Sequence, residues 1–364
     1  MSKKTPLYAV HVEKGAKMVD FAGWSMPVLY DSIISEHNAV RQGCGIFDVS
    51  HMGEFLFRGP NALDAVDYLI SNNLKKVGLN KGVYSPLLYK NGTFVDDVIA
   101  YALADDVVWM VVNASNIEKD EKWIRSCLDE VKDKFSVTME DCSAKMSLLA
   151  IQGKTSEDII GKLFPDLKNK EPFSFSQTSF LDKDGKSRNA SIARTGYTGE
   201  AGVEVMLANE DAIPLFLRAL DLGAKPCGLG SRDTLRLEKG YSLYGNEIDQ
   251  TVNPLESGLA WTVDFEKDFV GKEALLQIKQ KLKTEPGRRL KGFTLLERSV
   301  ARHGCLAYSL DEKEIGIVTS GAFSPTLKKS IGLVFVPGDY KDKEILIDIR
   351  GKKFKATLGK RVFC

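Results

Sequence analysis

The chain has 364 residues, 43% hydrophobic and 27% charged, with a net charge of +1. That size implies two or three domains and a globular composition. The near-zero charge argues against a nucleic-acid binder. No apolar run approaches the ~18 residues of a membrane span, and no apolar segment follows the basic N-terminus, so a cytoplasmic protein without a secretory signal is expected. Six scattered cysteines without a Cys-x-x-Cys pair fit a reduced interior. Four histidines without ligand spacing argue against a metal site.

In chain order, residues 31–43 read as a helix striped by Ile33, Ile34, His37 and Val40. A second opens at Gly59-Pro60, carries Leu63, Val66, Leu69 and Ile70, and ends at Asn72-Asn73. Residues 94–103 and 107–112 read as a β-hairpin, followed by a helix from about residue 113 to Val131. Residues 146–151 and 203–207 read as buried strands. Strands and helices do not alternate one for one, so the expected class is α+β with antiparallel sheets rather than a doubly wound parallel sheet. Residues 271–283 form the last predicted helix, and Thr284-Glu285-Pro286-Gly287 a domain boundary. Beyond it, short strands at 290–295, 315–319, 331–336, 345–349 and 354–358 predict a small β-barrel or sandwich. This last stretch, 286–364, carries 16 Lys/Arg against 8 Asp/Glu. Such a basic lobe suits an acidic partner or a polycarboxylate ligand, although chance segregation of charge gives the same pattern.

Several motifs mislead. Gly228-Leu229-Gly230 resembles a dinucleotide fingerprint, but Asp233 occupies the third glycine position. No nucleotide P-loop exists, and Gly196-Tyr197-Thr198-Gly199 lacks the serine of a nucleophile elbow. Asp96-Asp97 is more informative, because it interrupts an apolar strand. Alternation sends the two side chains to opposite faces, leaving open an exposed pair or one pocket acid. Glu204 is likewise a charge among apolar neighbours. It either faces solvent or grips paired N–H donors such as an aminopyrimidine edge. Arg232, Asp233, Arg236 and Glu238 have helical spacing and either brace a helix or hold an anionic or carbonyl group. Tyr84, Tyr101, Tyr197, Tyr241 and Trp261 offer flat surfaces to a heterocycle or simply pack the core. His51 alone reads as a structural donor.

Seven ordered motifs together narrow these choices: MVDFAGWSMP at 18–27, GIFDVSHMGE at 45–54, RTGYTGE at 194–200, GLGSRD at 228–233, NPLESGLAW at 253–261, FVGK at 269–272 and TSGAFSPTL at 319–327. The chain thereby resembles the T-protein of the glycine cleavage system, an aminomethyltransferase. The resemblance implies three domains in a clover-like arrangement around a folate cavity. Two interleaved α+β folate-binding domains are expected in residues 1–285, roughly 1–50 with 140–155 and 230–285, and 51–139 with 156–229. Residues 286–364 are expected to form the barrel.

The implied reaction passes the one-carbon unit of an aminomethylated lipoyl group, carried by the acidic H-protein, to tetrahydrofolate. The products are 5,10-methylenetetrahydrofolate, ammonia and the dihydrolipoyl carrier, without metal or nucleotide. Position by position, the resemblance implies Asp97 as the catalytic carboxylate and Glu204 as the pterin grip. Met52, Tyr84, Tyr101, Asn113 and Tyr197 match the cavity lining, and Arg232 an arginine near the reacting centre. Asp96 becomes the neighbouring control. The tail Lys360-Arg361-Val362-Phe363-Cys364 departs from the family's aromatic ending. Two alternatives are a stand-alone folate-dependent demethylase and a non-enzymatic folate-binding protein of iron–sulfur maintenance. The second is marked by a Lys-Gly-Cys-Tyr run, where this chain has Lys239-Gly240-Tyr241.

Overall fold

A computed structural model describes residues 2–364. The chain forms two compact units, one made of the stretch through Ser85 with Asp97–Asp233, the other of Pro86–Asp96 with Thr234–Cys364. The fold is mixed α+β with mainly antiparallel sheets, as the irregular order of elements predicts.

The first unit holds a six-stranded sheet in the order Phe175–Leu181, Ser187–Ala193, Gly202–Ala208, Met146–Gln152, Gly45–Asp48 and Lys225–Pro226. Only the last pair is parallel. Met146–Gln152 is central, and its near-continuous apolar run is buried on both faces. Two helices absent from the sequence reading, Ser156–Leu163 and Asn209–Asp221, cover this sheet. Their Ile159, Ile160, Leu215 and Phe216 pack with Leu149, Ile151, Val203 and Val205. At about 25 cal/mol per Å² of apolar area, this burial is the main stabilising contribution here.

Strands Phe175–Leu181 and Ser187–Ala193 thus share a sheet with Gly45–Asp48 and Met146–Gln152, not with the strands of 53–141. Those form a second sheet, in the order Lys81–Leu88, Phe94–Ala104, Val107–Val112, Gly53–Arg58 and Thr138–Asp141. The predicted hairpin is observed, with Ile99 opposite Val111 and an irregularity at Ala102/Ala104. The predicted first helix is Ile33–Gln42, started by Ser32, whose hydroxyl accepts from the Ser35 N–H. The next two are Ala62–Leu69 and Ile117–Glu130.

In the second unit, six strands close into a barrel: Arg288–Leu295, Lys329–Pro337, Glu314–Ser324, Leu306–Tyr308, Glu344–Ile349 and Lys352–Gly359. Phe293, Val318, Val334, Ile345 and Ile347 fill it. Of the two predicted forms it takes the barrel, whose closure leaves no exposed edge. The predicted helix near 271–283 is Lys272–Lys281. Gly271, before it, has φ +89°, and a Cβ there would lie 2.5 Å from the Tyr89 carbonyl oxygen.

Candidate functional site

In strand Phe94–Ala104, Asp96 is fully buried and Asp97 half-buried. Directly opposed residues of an antiparallel ladder share a face. Ile99 faces Val111, Tyr101 faces Trp109, and Val111 in turn faces Glu54. Asp97, Tyr101 and Glu54 therefore project from the same side of the sheet. The Tyr84 hydroxyl donates to Asp97 Oδ2 at 2.8 Å. Asn113 Nδ2 donates to Asp97 Oδ1 at 2.8 Å and to its backbone oxygen at 3.1 Å. Two neutral donors thus orient a carboxylate that keeps part of its exposure.

A second cluster surrounds Glu204 on strand Gly202–Ala208. Thr195 Oγ1 donates to Glu204 Oε2 at 2.6 Å. Arg232 Nη2 lies 4.0 Å from Glu204 Oε1, and its guanidinium carbon 4.9 Å from the centre of the Tyr197 ring. Burial lowers the pKa of Arg232, opposed by the Glu204 charge. Its Nη1 is buried without a hydrogen-bond partner. An unsatisfied buried donor is costly, and this N–H group can donate to an acceptor that reaches it.

Thr195 also meets the strand that carries Asp97, because Tyr101 OH is 3.0 Å from Thr195 Oγ1. The loop carrying Thr195 is fixed by Gln152, whose Nε2 donates to the Thr195 carbonyl at 3.0 Å and whose Oε1 accepts from the Thr198 hydroxyl at 2.9 Å. Gly196 makes this possible, since a Cβ there would lie 1.9 Å from Gln152 Oε1.

Of the residues singled out from sequence, Tyr84, Asp97 and Asn113 form one hydrogen-bonded group, and Tyr197, Glu204 and Arg232 a second cluster held by charge and ring contacts. Tyr101 is 1% exposed and meets the second cluster through Thr195. Met52 lies half-buried in the turn between Gly45–Asp48 and Gly53–Arg58. Three residues near these groups drew no functional reading from sequence. Thr195 gives no signal there. Glu54 is a charge inside an apolar strand, the same mark that draws attention to Glu204. It is 2% exposed, and burial followed by the Asp141 charge pushes its carboxyl up to about 8. His51, read as a structural donor, is buried with Nδ1 unpartnered. Burial holds its pKa down to about 4, helped by the Arg232 charge and opposed by Asp48.

Among the described residues, no group of three or more His, Cys, Asp or Glu is placed to hold a metal ion. No helix among them is long and apolar enough to cross a membrane.

Two family descriptions match the chain: the GCVT N-terminal domain over residues 7–267 and the glycine cleavage T-protein C-terminal barrel domain over residues 288–364. An aminomethyltransferase of Thermosipho melanesiensis is 45% identical over 364 residues, 99% of this chain and 97% of the relative. One from Halothermothrix orenii is 45% identical over 371 residues, 99% of each. The crystal structure of glycine cleavage system aminomethyltransferase T from Bartonella henselae matches with a TM-score of 0.89 at 30% identity, covering 100% of this chain and 98% of that one.

Proposed function

The chain belongs to the glycine cleavage T-protein family of aminomethyltransferases, and from that premise we propose that it transfers the one-carbon unit of an S-aminomethyl-dihydrolipoyl carrier to tetrahydrofolate. The observation that carries this reading is Asp97, half-buried and held on both oxygens by Tyr84 and Asn113.

A folate nitrogen attacks the aminomethyl carbon as the carbon–sulfur bond breaks, and the departing thiolate takes up a proton. The amine takes up a proton and leaves as ammonia, and the second folate nitrogen closes on the iminium-like carbon with loss of its own proton. Asp97 stabilises that cation and relays protons from the folate nitrogens to the leaving groups, so the two protons the folate loses are the two that the thiolate and the amine gain. Holding two large substrates in register supplies a further share of the acceleration. Glu204 accepts from the paired N–H groups of the pterin edge, a bidentate arrangement that suits a carboxylate. Arg232 Nη1 donates to a pterin or reacting-centre acceptor. Tyr84, Asn113, Tyr197 and Met52 complete the folate surroundings.

The partner in this reading is the lipoylated acidic H-protein, and its support is the net +8 charge of residues 286–364. The same reading makes residues 1–285 the folate-binding part, built of two interleaved domains. The two separate sheets drawn from alternating stretches of that part support it.

The test is ammonia release from aminomethylated H-protein, with and without tetrahydrofolate, beside a panel of small methyl donors. Release that requires both folate and carrier is expected. Turnover of the small donors, or folate binding without ammonia release, would overturn the reading.

A further inference from the structure

Three hydroxyl and carboxyl groups in the first unit form a directed chain. As a carboxylate, Glu204 only accepts, so Thr195 Oγ1 is the donor at 2.6 Å. That uses the one proton of Thr195, so Tyr101 OH is the donor in the 3.0 Å contact. Tyr101, Thr195 and Glu204 are 1%, 9% and 9% exposed, so water competes little for these bonds. Burial, then the Glu204 charge, pushes the Tyr101 phenol well above its ordinary range and keeps it a donor.

Each member is fixed independently. Gln152 holds the Thr195 carbonyl and Gly196 leaves room for it. The Tyr101 ring lies against Phe175, centroids 5.4 Å apart. It also closes on Gly82, where a Cβ would approach the ring to 2.5 Å. Glu204 therefore has one oxygen tied before any ligand arrives. Its other oxygen, Oε1, has Arg232 Nη2 at 4.0 Å.

We propose that Thr195 is a positioning residue for the folate site, oriented in turn by Tyr101. It fixes the Glu204 carboxylate in the rotamer that receives the paired N–H donors of the ligand. A glutamate side chain ordered only on binding loses rotamer freedom at that moment, and one ordered beforehand does not. Tyr101 accordingly acts from behind the site rather than as a surface for the heterocycle. The inference rests on the reading of Glu204 as the carboxylate that grips the pterin edge.

The experiment compares Thr195→Val, Thr195→Ser, Tyr101→Phe and Glu204→Gln in the full chain, with KM for tetrahydrofolate, kcat and thermal midpoint for each. Thr195→Val keeps the shape and removes the donor, so KM should rise about tenfold with kcat within about twofold, the pattern of lost ground-state binding. Thr195→Ser restores the hydroxyl and should stay within about twofold of the parent. Tyr101→Phe, which removes only the upstream donor, should raise KM about threefold and reads the same chain should Thr195→Val not fold. Folded Thr195→Val or Tyr101→Phe with unchanged KM, beside an impaired Glu204→Gln, would overturn the positioning role alone. Thr195→Ser as impaired as Thr195→Val would overturn it as well. A Glu204→Gln enzyme with unchanged KM would instead overturn the reading beneath it.

Discussion

Asn113 holds Asp97 twice, through one side-chain amide nitrogen that donates to carboxylate Oδ1 at 2.8 Å and to the Asp97 backbone oxygen at 3.1 Å. The grip fixes the carboxylate relative to its own backbone, and Tyr84 holds the second oxygen. Asp97→Asn removes the charge and places one amide N–H group against the Tyr84 hydroxyl or against Asn113. A part-exposed mismatch of this kind costs about 1 kcal/mol, small enough for the chain to fold. Transfer should fall ~10²–10⁴-fold, the usual worth of a positioned acid–base group. Asn113→Ala leaves the charge but frees its orientation, and a loss of ~10²-fold is expected. Single-turnover formation of methylenetetrahydrofolate, with circular dichroism as the folding control, measures both. Near-parental turnover in folded Asp97→Asn would remove Asp97 from the chemistry.

Glu54 predicts a pH dependence of stability. Its carboxyl rises from 4.5 to about 8 in the folded chain. Between those values the folded state keeps a proton that the unfolded state has released. The stability is fully present below 4.5 and is lost as pH rises through about 8. At neutral pH the loss already amounts to about 3 kcal/mol. Glu54→Gln does not titrate, so its thermal midpoint should gain on that of the parent from about pH 5 to about pH 9. His51 works in the opposite direction, its stability contribution falling as pH drops from 6.5 through about 4, and it is common to both proteins. Parallel melting curves across the range would show that Glu54 is not the responsible group.

Legibility from sequence tracks how local each signal is. Five barrel strands announce themselves by alternation and turns, whereas the sixth, Leu306–Tyr308, has three residues and too little pattern to read. Helix Asn209–Asp221 carries Ala212, Leu215, Phe216 and Ala219 at helical spacing, but Pro214 breaks the pattern from within. Asp97 and Glu204 stand out because each charge interrupts an apolar strand. Thr195 does not, because a hydroxyl in a glycine-rich loop is ordinary and its meaning depends on Tyr101, 94 positions away. Alternation separates Asp96 from Asp97 without saying which faces a ligand. The full burial of Asp96 makes it a poor control, since its substitution acts first on stability.

Gly196→Ala tests the loop lock. The added Cβ would stand 1.9 Å from Gln152 Oε1, and Gln152 is itself fully buried. Gln152 must then release Thr195, Thr198 or both. Overpacking of this kind costs about 1–3 kcal/mol, and the freed Thr195 should raise KM for tetrahydrofolate. Denaturant unfolding and steady-state kinetics read the two effects. Unchanged stability would mean that the loop adapts and does not lock.

The charge asymmetry makes a last prediction, and it separates two candidate ligands for the basic lobe. Residues 286–364 carry a net +8 and the rest of the chain a net −7. If the lobe steers the acidic carrier, the carrier's association rate should drop at least ~10-fold between about 50 and about 500 mM salt, because exposed charges are screened over a few ångströms at the higher value. KM for monoglutamyl tetrahydrofolate, which has no long anionic tail, should change far less. If the lobe instead receives a folate polyglutamate tail, the salt sensitivity moves to KM for a polyglutamylated folate and leaves the carrier almost unaffected. Stopped-flow association with the carrier and parallel kinetics with the two folates distinguish these outcomes. Salt-independent behaviour in all three would mean that the +8 is spread over solvated faces and meets neither ligand.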